Sequence, residues 1–161
     1  KLKRISNIAM KLGELFSNVV LLSGLLAWAI AQSLKVPLKY RSTHQWDWAL
    51  LLRAGGMPSS HSALVAAVAH ATGLNVGFAS PLFALALTFA IIVIYDAAGI
   101  RRQAGKHAEV INVILHDLAS GHPLKSEKLL EVLGHTPLEA FAGAVLGVVV
   151  AQAVWLLENA G

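Results

Sequence analysis

The sequence predicts an all-α fold: a polytopic membrane bundle of about four spans with short amphipathic helices between them. Three observations carry that prediction. Apolar residues make up 56% of the chain and charged residues only 14%, where a soluble domain usually carries about 25% charged residues. The apolar residues are gathered into four runs of about 17–21, close to the length a helix needs to cross a bilayer. Start and stop signals for helices flank these runs. Cysteine is absent, which excludes disulfides and thiolate metal sites. The net charge of +4 suits anionic headgroups beside a membrane protein, so the expected partners are membrane lipids and not nucleic acid.

Residues 1–14 read as a basic interfacial lead-in, with Lys1, Lys3, Arg4 and Lys11 interleaved with Leu2, Ile5, Ile8 and Met10. Residues 15–157 read as a single membrane domain. Its first span covers about residues 15–34. Ser17, Asn18, Ser23 and Gln32 within it are uncharged, and Lys35-Val36-Pro37 closes it. Residues 38–57 form a polar, basic connection. Trp46 and Trp48 flank Asp47 there as an aromatic interface anchor. Leu50 to Leu52 suit a short re-entrant or interfacial helix.

The second span, about residues 62–78, is rich in alanine and glycine. Small residues let helices approach closely in a bilayer, which places this span in the middle of the bundle. His70 within it reads as a buried, hydrogen-bonded histidine. A short uncharged turn leads to the third span, about residues 81–97, which ends in Tyr95-Asp96. Asp96 at a membrane edge reads as an interface charge or, preferably, as the partner of a nearby cation.

Residues 99–134 form a long basic loop. In it His107, Ile111, Ile114 and Leu118 recur on one face of an amphipathic helix. A second short helix over 126–132 stops at Gly134. Thr136-Pro137-Leu138-Glu139 then makes a capping box with proline at the first helical position. It opens the last span, about residues 137–157.

The connections 35–60 and 98–136 lie on one side, because two spans separate them. They carry nine of the thirteen cations: Lys35, Lys39, Arg41, Arg53, Arg101, Arg102, Lys106, Lys125 and Lys128. The turn on the opposite side carries none. This asymmetry turns that side toward the cytoplasm, or toward an equivalent compartment such as stroma.

The chemistry-bearing residues gather on the same side. Gly55-Gly56-Met57-Pro58-Ser59-Ser60-His61-Ser62-Ala63 breaks the backbone and then starts a helix, with Ser59 or Ser60 as its cap. A helix start offers backbone donors to an anion, and His61 stands in its first turn. Lys35 and Lys39 precede this stretch. Asp96, Arg101, Arg102 and His107 follow the third span, and His135 precedes the fourth. Guanidinium groups and lysines hold phosphate oxygens. Two histidines can divide the work of nucleophile and general acid. Such a site uses neither metal nor cofactor, and the carboxylates are too scattered for a metal cage.

These stretches resemble the divergent branch of the type 2 phosphatidic acid phosphatase superfamily, which includes acid phosphatases and vanadium haloperoxidases. The likeness rests on Gln32-Ser33-Leu34-Lys35-Val36-Pro37, residues 55–63, Asp96-Ala97-Ala98-Gly99-Ile100-Arg101-Arg102, Gly105-Lys106-His107-Ala108-Glu109-Val110-Ile111-Asn112 and Leu133-Gly134-His135-Thr136-Pro137. By that resemblance Lys35 or Lys39, Ser59, Ser60, Arg101 and Arg102 bind phosphate. His107 is the nucleophile, His61 the general acid, and Asp96 and His135 play supporting parts. The superfamily pattern has glycine where Ser60 stands, serine where Ile100 stands, and an orienting aspartate where Ile111 stands. The implied activity is metal-independent hydrolysis of a lipid phosphate through a phosphohistidine. The alternative is an inactive relative serving as a small subunit or assembly factor of a larger membrane complex, photosynthetic if the setting is a plastid. The phrase Leu115-His116-Asp117-Leu118 to Gly121-His122-Pro123 resembles plant and algal members, which implies a plastid membrane.

Overall fold

The computed structural model describes residues 13–52, 55–99, 107–108, 110–112, 114–115 and 136–160. Within them lie four long helices: α1, Val19–Thr43; α2, Ser60–Val76; α3, Pro81–Ala98; and α4, Pro137–Asn159. A 3₁₀ turn, Trp48–Leu51, follows α1. The described residues contain no strand. The lead-in, up to residue 12, lies outside them.

Local chemistry sets each helix start. The Asn18 side chain accepts from the Leu21 N–H at 3.0 Å, so α1 opens four residues later than the expected start at 15. Ser59 is the cap of α2, with its Oγ accepting from the Ser62 N–H at 3.3 Å. Ser80 caps α3, with Pro81 in the first turn. Thr136 and Glu139 close the expected capping box of α4, through bonds of 2.9 and 3.3 Å. Such caps satisfy the donors that a helix start leaves open.

One expected boundary is corrected. Lys35-Val36-Pro37 does not end the first helix; α1 runs through Pro37 to Thr43 and stops at His44, a left-handed residue whose N–H bonds to the Tyr40 carbonyl. Proline forfeits one backbone bond, but a helix near the bilayer has no better way to satisfy its other groups. Ser42 and Thr43 also donate their hydroxyls to the Lys39 carbonyl, each at 2.9 Å.

α1, α3 and α4 are long and apolar enough to cross a membrane. α2, with 17 residues, reaches about 25 Å and packs against all three others. Its buried residues are small: Ala63, Ala66, Ala67, Ala69, Ala71 and Gly73 among them. This bears out its expected place in the middle. Hydrocarbon gives apolar side chains no drive to leave it, so close backbone approach and hydrogen bonds hold such helices together. Gly143 and Gly147 of α4 supply the approach. A Cβ at 143 would run into the Ser59 carbonyl, and one at 147 into the Ala63 carbonyl.

Contacts at both ends give the directions. Lys35 meets Ser60, while Gly24 meets Leu64 and Val68, so α1 runs antiparallel to α2. Gly143 meets Ser59 and Gln152 meets His70, so α4 runs parallel to α2. The short turn at 77–80 reverses the chain into α3. The end of α1, the start of α2, the end of α3 and the start of α4 therefore share one side of the bundle, as the sequence predicts.

Candidate functional site: a lysine-lined cavity at the helix ends

At that shared side lies a cavity of about 460 Å³, lined by Lys35, Leu38, Lys39, Ser42, Leu50, Gly56, Met57 and Glu139. Continuation of α1 past Pro37 creates one wall of it. Lys35, Lys39 and Ser42 fall at i, i+4 and i+7, which is one face of a helix. The opposite wall comes from the loop before α2. Gly55 and Gly56 take φ values of 103° and 79°, where side chains with a Cβ are disfavoured.

Among the described residues, Lys35 is the buried cation of the cavity, 2% exposed. Its Nζ donates to Gln32 Oε1 at 2.8 Å and to Ser60 Oγ at 3.4 Å. The Glu139 carboxylate acts on it electrostatically. An ionised group at such depth needs this company, since its desolvation is otherwise uncompensated. Gln32 turns its other end to the 3₁₀ turn, where Nε2 donates to the Leu50 and Leu51 carbonyls at 3.0 and 2.9 Å.

Ser59, Ser60 and Ser62 are all buried. Ser59 is committed to structure, for its Oγ also accepts from Ser62 Oγ at 3.0 Å. Its own N–H donates to the Glu139 carbonyl at 3.0 Å. Ser60 faces Lys35. The structure thus joins Lys35, Lys39, Ser59 and Ser60 in one corner.

His61 and His107 are both exposed, and neither lines the lysine cavity. Residues 107–108, 110–112 and 114–115 are helical, as the amphipathic pattern predicts, with Ile111 and Ile114 exposed. Asp96 is half-buried near the end of α3. Arg101, Arg102 and His135 lie outside the described residues.

Two features flank the site. Tyr40 stacks on Trp46 with ring centres 4.4 Å apart, and Trp46 on Trp48 at 5.6 Å. Both tryptophans are more than half exposed, as befits side chains at a membrane–water boundary. Deeper in the bundle, His70 Nε2 lies 3.0 Å from Gln152 Oε1. His70 also lines an apolar cavity of about 250 Å³ between α2, α3 and α4.

Sequence reasoning missed two members of the site. Gln32 reads as one more neutral residue in a span, although it stands three residues before Lys35 and so on the same helix face. Glu139 reads as a capping residue only, yet it also lines the cavity.

A sequence model described as the Divergent PAP2 family matches residues 16–150. An uncharacterized membrane protein of Bacillus subtilis (strain 168), YuiD, is 42% identical over 146 residues, covering 84% of this chain and 92% of its own length. No solved structure matches the chain. With its spanning helices, this chain is an integral membrane protein, and it belongs to the divergent PAP2 family.

Proposed function

We propose that the lysine cavity receives the phosphate of a lipid headgroup, and that the protein is a membrane-embedded, metal-independent lipid phosphate phosphatase. The observation that carries this reading is the buried Lys35 ammonium at the start of α2, beside Ser60. A cation held inward next to a helix start is an arrangement for an anion. The aromatic residues nearby favour a position at headgroup level.

In this reading the phosphate sits on Lys35, Lys39 and Ser60, and Arg101 and Arg102 complete its charge neutralisation. A His107 ring nitrogen attacks phosphorus while the bond from phosphorus to the lipid oxygen breaks. His61 gives its proton to that leaving oxygen. Water then attacks phosphorus and breaks the phosphorus–nitrogen bond, releasing orthophosphate and returning a proton to His61. His61 and His107 must approach the occupied cavity for this chemistry. The cation bias supports a cytoplasmic or stromal placing of the site. The phrase over residues 115–123 supports a plastid setting, while the Bacillus relative extends the family to bacteria.

The test is phosphate release from a panel of lipid phosphates, without added metal, by the parent chain and by Lys35→Met, His61→Ala and His107→Ala. Release by the parent that all three changes abolish is the expected result. Release indifferent to the histidines would overturn the phosphohistidine mechanism. Absence of release, with phosphate still bound through Lys35, would favour the inactive relative within a larger complex.

A further inference from the structure

Lys35 carries its charge on a stem of four flexible bonds. Such a side chain normally snorkels to water, and ordering it costs rotamer entropy. Here its ammonium instead points inward, and the contact that turns it is Gln32 Oε1 at 2.8 Å. The Gln32 amide is itself held by Nε2 donating to the Leu50 and Leu51 carbonyls. Chemistry settles which end points where. A reversed amide would set its oxygen against two carbonyl oxygens and its NH₂ against an ammonium.

The same amide fixes a wall of the cavity. Leu50 lines it, and the two accepting carbonyls belong to the last residues of the Trp48–Leu51 turn. Carbonyls at a helix end lack partners within the helix, and Gln32 supplies them from α1. One side chain therefore sets both the cation and the strap of chain beside it.

We infer that Gln32 is the positioning residue of this anion site: it aims Lys35 into the cavity and pins the strap at 48–51 that walls it. The inference rests on the phosphate-site reading above. It adds a claim about how the site is kept ready, since an ammonium ordered in advance does not lose that freedom again when the anion arrives.

The test uses the full chain in lipid nanodiscs, with orthophosphate as the probe and Gln32→Met as the variant. Phosphate affinity is read by titration, and strap mobility by amide hydrogen exchange over residues 48–52. Both are measured at a temperature where every protein is folded. Gln32→Met is expected to weaken phosphate binding on the order of tenfold, the loss of one charge-assisted contact, and to speed exchange in the strap. Lys35→Met is expected to weaken binding by about 10- to 100-fold while leaving strap exchange as in the parent.

Faster strap exchange with parental phosphate affinity would make Gln32 a structural residue only and overturn the inference. Unchanged exchange would overturn it too. A parent that binds no phosphate through Lys35 would remove the site reading and the inference with it. Should Gln32→Met fail to fold, Gln32→Asn keeps the amide but is one methylene short of the strap, and it should show the same paired losses.

Discussion

Gly143 of α4 lies directly against the Ser59 carbonyl, at the point where the motif loop becomes α2. Ser59 answers with its own N–H, which donates to the Glu139 carbonyl one turn earlier on α4. The start of α2 and the start of α4 are therefore one joint, and the lysine cavity opens beside it. Substituting Gly143 or Gly147 by alanine should force the two backbones apart. The expected loss is about 1–3 kcal/mol for an overpacked contact, checked by thermal unfolding in detergent. Gly13, which faces open space, should accept alanine without such a loss.

Lys35→Met should weaken orthophosphate binding by about 10- to 100-fold, the range expected when hydrogen bonds from a charged donor are lost. Lys35→Arg should recover only part of this, because a planar fork does not reproduce a compact ammonium between Gln32 and Ser60. Phosphorus NMR titration would check both variants.

Glu139 separates two roles cleanly. Glutamine at the same position still completes a capping box, so Glu139→Gln should leave the folding of α4 intact. It removes a negative charge from the cavity wall, and phosphate should then bind several-fold tighter, with the gain shrinking as salt rises. Thr136→Ala should do the opposite: cost about 1 kcal/mol of stability through the lost cap, with little change in phosphate affinity. Unfolding and titration on the same samples would distinguish the two.

His70 and Gln152 should behave as a coupled pair. His70→Phe and Gln152→Leu should each cost about 0.5–2 kcal/mol, by leaving the partner without its bond inside the bundle. The double variant should cost less than the sum of the singles. A double-variant cycle in unfolding free energy measures that coupling.

Trp46 and Trp48 should report the depth of the site. With Trp28 and Trp155 replaced by phenylalanine, emission from the two remaining tryptophans should be quenched most by lipids labelled near the headgroup. Stronger quenching by labels deep in the acyl chains would place the Tyr40–Trp46–Trp48 stack within the hydrocarbon instead.

Much of the architecture was legible because it is written in local chemistry. The Ser80-Pro81 and Thr136-Pro137-Leu138-Glu139 starts need only neighbours in sequence, and both helices open where those signals stand. The central place of α2 was legible from its small residues. The passage of α1 through Pro37 was not, because proline marks a lost bond without saying whether surrounding bonds outweigh it. The Gly143-to-Gly147 spacing also went unread. Its meaning depends on which helix lies opposite, and Ser59, Ala63 and Ala67 are 80 to 84 residues away in sequence.

By itself the sequence determined that this chain is a helical membrane protein, where most of its helices begin, and that its basic and motif residues share one side. Those follow from length, hydropathy and caps, which act over a few residues. Tertiary structure alone decided which of those residues meet. It joined Lys35, Lys39 and Glu139 at one cavity, bonded Lys35 to Ser60, recruited Gln32 to hold the lysine, and left His61 and His107 on exposed surface. The physical reason is that a side chain's partners depend on how closely helices approach and at what register, and those are set by pairs of small residues on different helices.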